Sequence, residues 1–384
     1  MTFKTESIQY YNIMIQKISL TNFKSYEDEE FNIAPLTLIA GINGMGKSSI
    51  LQSLLMLKQS FDVDYLNKSE KQIRLNGHFV NLENSDVACY TMASQREMSV
   101  SIDTECGYHK WIINAQDPTE TNPSCTYEGG EYKSMSLFSD TMEFLTAERL
   151  GPRAEYRIQS DKAYNTKLGI QGELTPAYLY QSLLKNEEIG MAGMLFEKGG
   201  NRDIDKQLIN NVNAWMSWIM NMNMATYTQA TDPQTVKLEY RLDDAWEHYS
   251  ALQVGFGFSF VLPVVTALLK AKAGDLILIE NPEAHIHPSA QVRLGQMIGK
   301  AVACGAQVIT ETHSDHLLNG IRLARKENVL EKESDVNLIF VQRKPINKQL
   351  VTFTNEIKIY DNGKLSDRPP FFFDTWEDTL VKLI

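Results

Sequence analysis

With 384 residues, 43% of them hydrophobic and 22% charged, the chain is long enough for one large domain or two ordinary ones with a sizeable core. A net charge of −11 argues against a surface coated for nucleic-acid binding, while leaving room for a local basic groove. Cys89, Cys106, Cys125 and Cys304 form no C-x-x-C pair, so they read as reduced thiols rather than a zinc site or a disulfide framework. No apolar run approaches the roughly 18 residues of a membrane span. Met1–Tyr10 lacks the flank and apolar stretch of a secretory signal, so the expected compartment is the cytoplasm, with no membrane partner.

The first predicted elements are strands. Ile15, Ile18 and Leu20 mark one, and Phe31 and Ile33 mark the next. Leu36–Ala40 is a short apolar run of the kind a buried parallel strand needs. It feeds Gly41-Ile-Asn43-Gly44-Met-Gly46-Lys47-Ser48, which matches G-x-x-x-x-G-K-[ST] without a mismatch, and Ser49–Gln59 then reads as a helix. Glycines permit the tight turn that points backbone N–H groups at phosphate oxygens, and the helix presents its positive end to the same anion. The expected ligand is a nucleoside triphosphate with Mg²⁺, most simply ATP, although the motif itself does not distinguish ATP from GTP. Gly41, Asn43, Gly44, Gly46, Lys47, Ser48 and Ser49 form the cradle; Lys47 reaches the β- and γ-phosphates, and Ser48 offers its hydroxyl to the ion.

Residues 60–145 alternate polar turns with strand-like pieces at Met98–Ile102 and Lys110–Ile113, and Asp117–Tyr132 reads as a loop or hairpin tip. Arg149 and Arg153 flank a rigid Gly-Pro turn. They suit either an anion clamp or surface ion pairs with Glu148 or Glu155. Ala177–Leu184 and Ile209–Met222 are predicted helices, and 237–250 is a strand and turn. Gly255-Phe-Gly257-Phe-Ser259 precedes a predicted helix, Phe260–Lys270. It is either a second anion cradle or a helix cap with packing glycines.

The predicted strand Leu276–Ile279 ends in Glu280-Asn281-Pro-Glu283. A carboxylate at such a tip is placed to hold Mg²⁺, and Glu280 takes that role with Ser48. Asn281 can align water but is no general base; Glu283 is the nearest substitute. His285 and His287 are two apart, which suits neither a helix face nor the usual zinc spacing, so a structural or interface role is expected. A further strand, Gln307–Thr310, leads to His313, a candidate γ-phosphate sensor. Val336–Val341 and Gln349–Ile359 are predicted terminal strands, and no heptad or internal repeat is visible.

These segments, in this order, resemble the ATP-binding-cassette-like branch of P-loop ATPases, and within it the RecF/SMC/OLD-type AAA ATPases of bacteria. The resemblance runs over roughly 13–375. It is carried by Ile18-Ser-Leu-Thr-Asn-Phe-Lys-Ser-Tyr26, the phosphate loop, Glu280-Asn-Pro-Glu-Ala-His-Ile-His-Pro288 and Thr312-His-Ser314. Ala147–Arg153 and Val254–Gly257 look like a compact phage-defence subgroup of Septu or retron type. The implied fold is α/β: a head with a mixed β-sheet flanked by helices, an inserted β-rich and helical subdomain, and no long coiled coil. The expected division is an N-terminal ATPase lobe (1–145), a helical insertion or lid (146–250) and a C-terminal ATPase lobe (251–384).

The resemblance implies two heads sandwiching ATP, as a homodimer or higher oligomer. Gly257 and Ser259 look like the signature that closes over the partner's nucleotide, and His313 like the switch histidine; the signature departs from Leu-Ser-Gly-Gly. Asn281 stands at the usual catalytic glutamate, which implies slow hydrolysis. No acidic D-x-D-type cluster of a Toprim nuclease is found in the C-terminal tail. The implied function is a head that controls a separate effector, a nuclease or toxin, in anti-phage defence. The competing expectations are an ATP-driven engine on DNA and a DNA-binding repair ATPase of RecF type.

Overall fold

The computed structural model describes residues 13–158, 168–197, 205–243, 246–346 and 349–367. The expectations for Met1–Tyr10 and for the tail beyond 367 lie outside these residues. In chain order, β1 (Ile15–Phe23), β2 (Tyr26–Asn32) and β3 (Leu36–Gly41) lead into α1 (Lys47–Asp62). A single turn, α2 (Ser85–Ala88), precedes β4 (Glu97–Thr104), β5 (Gly107–Asn114), β6 (Cys125–Gly129), β7 (Glu143–Leu145) and β8 (Tyr156–Arg157). Then come α3 (Thr175–Leu184), α4 (Leu208–Met220), β9 (Met224–Asp232), β10 (Thr235–Leu242), β11 (Tyr249–Ser250) and α5 (Phe256–Lys270). The last third holds β12 (Leu276–Glu280), α6 (Pro288–Ala303), β13 (Gln307–Thr312), α7 (Asp315–Lys326), β14 (Val336–Ile346) and β15 (Gln349–Ile357).

The central sheet has the order β15-β14-β3-β13-β12-β7. All its pairings are parallel except β14–β15. Its strands are apolar at consecutive positions because both faces are covered. Side chains alternate between the faces. Leu36, Leu38, Ile277, Ile279, Val308 and Leu338 face one core, built with α3 to α7. Ile39, Leu276, Leu278, Ile309 and Ile339 face the other, built with α1 and an antiparallel sheet of order β2-β1-β4-β5-β6. A small third sheet, β11-β10-β8 with β9 on β10, packs near α3 and α4.

Most predicted elements are present within a few residues. The polar stretch Asp117–Tyr132 differs: it contains β6, an edge strand whose pairing with β5 supplies the order that its own sequence does not signal. Helix α5 begins at Phe256, four residues earlier than expected, because Gly255 in an extended conformation serves as its N-cap. The longest helices among the described residues, α1 and α6, have 16 residues each, so no long coiled coil is present there. No described helix is long and apolar enough to cross a membrane.

Candidate nucleotide site

Parallel pairing of β3, β13 and β12 brings three strand ends to one edge of the sheet, and the candidate site is built there. The turn after β3 relies on glycine. Gly41 has φ 142°, and a Cβ there would lie 2.3 Å from the Val341 carbonyl oxygen. Gly46, at φ 108°, caps α1 without any side-chain bond; the Ser49 N–H donates to the Gly46 carbonyl at 3.1 Å, and the N–H groups at the very start of the helix are left for another acceptor. The Tyr26 hydroxyl donates to the Gly46 carbonyl at 3.0 Å and anchors the turn to β2. Asn43 and Gly44 form the exposed tip, Ser48 is half-buried and Ser49 is buried.

Lys47 is buried, and its ammonium donates to the Ile42 carbonyl at 2.9 Å. Burial lowers its pKa, opposed by Glu311, whose Oε1 lies 3.8 Å away. Glu311 also accepts a hydrogen bond from the Ser48 side chain. The Glu311 Oε2 is buried with no hydrogen-bond partner. Burial raises the Glu311 pKa against the opposing pull of Ser48 and Lys47. His313 lies beyond Glu311, its Nε2 4.0 Å from the Glu311 Oε1 and its ring bonded to the Gly41 backbone. Burial and Lys47 push the His313 imidazole below its ordinary pKa, against the opposing hydrogen bond to the Gly41 backbone.

Glu311 escaped the sequence reading. The available signal was a lone acid in an apolar strand, two residues before His313 and therefore on the same strand face.

The neighbouring strand end carries Glu280, in register with Glu311. The Glu280 Oε2 accepts from the Thr146 hydroxyl at 3.1 Å and from the Ala147 N–H at 3.0 Å. Asn281 follows in the left-handed region, φ 45°, and its N–H donates to the Glu311 carbonyl. Glu283 is buried; its Oε1 accepts from the Thr312 hydroxyl at 2.8 Å and the His313 N–H at 2.9 Å. Through Oε1, Glu283 thus ties the turn after β12 to the His313 turn, while its Oε2 is buried without a hydrogen-bond partner.

Arg149 is buried, so it forms no surface ion pair. Its buried guanidinium donates to the carbonyls of Thr146, Glu280 and Asn281, pinning the acidic tip from behind. Burial lowers its pKa to about 10, opposed by Glu283 and Glu280. Arg153 is exposed. Gly257 is packed: a Cβ there would lie 2.7 Å from the His285 carbonyl oxygen. Ser259 is buried one turn inside α5, facing Tyr156 and Tyr240. This corrects its expected place at the helix start; the end of α5 that meets solvent is Gly255–Phe256. His285 packs edge-on against Phe260 at 4.5 Å, and His287 caps α6 through Ser289.

Three family profiles match the chain. Residues 14–114 match an AAA ATPase domain. Residues 144–319 match an AAA domain family whose description names the AbiEii toxin and a type IV TA system. Residues 332–383 match a family of unknown function, DUF3696. Among solved structures, an Smc head bound to the C-winged helix domain of ScpA superposes with TM-score 0.53 and 12% identity, over 90% of this chain and 98% of that one. The Smc head of Pyrococcus furiosus with an extended coiled coil gives 0.52 and 12%, over 97% and 99%. The fold is that of an SMC-type ATPase head.

A curated relative, the OLD nuclease of Thermus scotoductus, is 21% identical over 348 residues. The match covers 82% of this chain and 62% of that protein's length. Together these comparisons support a P-loop ATPase of the SMC/OLD type. In this fold the Gly41–Ser48 turn joins β3 to α1, and β12 and β13 bring the acidic tip and His313 beside it.

The donor set fits a divalent cation. The Ser48 hydroxyl and the unpartnered Glu311 Oε2 are hard oxygen ligands of the kind Mg²⁺ takes. Among the described residues no three His, Cys, Asp or Glu side chains converge to hold a metal by themselves.

Proposed function

We propose that this chain binds ATP with Mg²⁺ at Gly41–Ser49, hydrolyses it slowly, and pairs with a second copy around the nucleotide to control a separate effector. The observation that carries the reading is the meeting of Lys47 and Ser48 with Glu311 and His313 at one sheet edge. Backbone N–H groups of the loop and the start of α1 would hold the β- and γ-phosphates, with Lys47 exchanging the Ile42 carbonyl for phosphate oxygens. Ser48 and Glu280 would hold the ion, which neutralises charge on the transferring phosphoryl group. His313 would sense the γ-phosphate by hydrogen bonding through its ring. Asn281 would align water without accepting its proton, which is the reason to expect slow turnover.

Pairing would place the solvent-facing start of α5, Gly255–Phe256 ahead of Gly257, over the partner's nucleotide. Ser259 would support that turn from inside rather than touch phosphate. The effector is read as a nuclease or toxin of bacterial anti-phage defence; the toxin-related profile and the OLD nuclease relative support that class.

The decisive experiment measures ATP binding, phosphate release and ATP-dependent mass of the full chain and of Lys47→Ala. Binding and an ATP-dependent mass increase, both lost in the variant, are expected. Failure of the wild type to bind ATP would sink the reading. Strong duplex-stimulated turnover without an effector would instead favour a DNA-binding ATPase of RecF type.

A further inference from the structure

Resting on the ATPase reading, we propose that Glu311 contributes its carboxylate to the coordination sphere of the divalent cation that accompanies the triphosphate, alongside Ser48. Four observations converge. First, Glu311 is 6% exposed and its Oε2 has no donor, a costly arrangement that a cation relieves. Second, the same carboxylate accepts from Ser48, the hydroxyl expected to meet the ion. Third, β13 lies between β3 and β12. Glu311 is therefore one strand, about 4.8 Å, nearer the phosphate loop than Glu280. Fourth, the Glu280 Oε2 is already bonded by Thr146 and Ala147, and Asn281 brings no charge to the tip.

A different use of Glu311 is a resting partner for the Lys47 ammonium, and the two uses predict opposite results. Removing a mere resting partner frees Lys47 and tightens metal-free nucleotide binding without weakening the ion. Removing a cation ligand weakens the ion in the nucleotide complex.

The test uses the full chain, fluorescent ATP analogue binding in EDTA, and Mn²⁺ titration of the nucleotide complex followed by electron paramagnetic resonance. Glu311→Gln is expected to bind nucleotide in EDTA at least as well as wild type, while Mn²⁺ affinity falls about 10-fold or more. Glu311→Asp keeps the charge but withdraws it by one methylene, and should fall between the two. It decides the matter should the Gln variant fail to fold. Mn²⁺ affinity within two-fold (roughly, the scatter of such titrations) of wild type in the folded variant would overturn the proposal. A wild type that binds no nucleotide in EDTA or Mn²⁺ would instead overturn the ATPase reading itself, so the two failures are distinguishable.

Discussion

Glu280 and Glu311 sit side by side in register on neighbouring parallel strands, yet their carboxylates answer to different parts of the chain. Glu280 is held by Thr146 and Ala147, on the segment after β7. Glu311 is held by Ser48 and lies next to Lys47 on the phosphate loop. The two acids can share one sheet edge because each has donors of its own, from separate segments of the chain.

The Lys47–Glu311 pair sets a stability prediction. Lys47→Ala leaves a buried carboxylate unpaired, so it should destabilise the fold by about 3 kcal/mol as well as abolish ATP binding. Adding Glu311→Gln to that variant should restore most of the loss. Urea denaturation of the wild type, both single variants and the double variant checks this; strict additivity would contradict the coupling.

Asn281→Glu should raise steady-state phosphate release by about 100-fold, the low end of what a placed general base contributes. The same change puts glutamate at φ 45°, where asparagine is better tolerated. It should therefore lower stability by about 1 kcal/mol. Unchanged turnover with intact ATP binding would show that the missing carboxylate does not limit the rate.

Arg149 holds three carbonyls from a buried position, and nothing else described offers a planar fork there. Arg149→Ala should cost about 3 kcal/mol by leaving these acceptors and Glu283 without their cation. Arg149→Lys should recover little, since one ammonium cannot span the three. Thermal melts of both variants decide between this and a role for charge alone.

Glu283 gives a pH signature. Burial raises its folded pKa above the ordinary carboxylate value, so the folded chain keeps this proton longer than the unfolded chain. Its contribution is present below the unfolded pKa and lost as pH rises through the raised folded value. Glu283→Gln keeps an Oε1 acceptor for Thr312 and His313 but removes the charge. Relative to wild type it should be more stable at pH 8 than at pH 4.5, with the gap closing on acidification. Melting temperatures across that range check the sign; a gap that widens toward acid would refute it.

Much of this site was legible in the sequence because its demands are local. Gly41, Gly46, Lys47 and Ser48 occupy one turn and one helix start, where φ angles and orphan N–H groups are dictated by immediate neighbours. The apolar runs of β3, β12 and β13 likewise announce strands buried on both faces. What the sequence by itself did not determine is which distant groups meet. Thr146 and Ala147 reach Glu280 across more than 130 residues (133 for Ala147), and Arg149 binds the backbone carbonyls of Glu280 and Asn281 at the same tip. Ser259 is turned inward by Tyr156 and Tyr240, and Glu311 meets Lys47 only because β13 inserts between β3 and β12. Strand order in a parallel sheet is a long-range choice made by core packing on both faces, so the partners of each carboxylate were decided by tertiary structure alone.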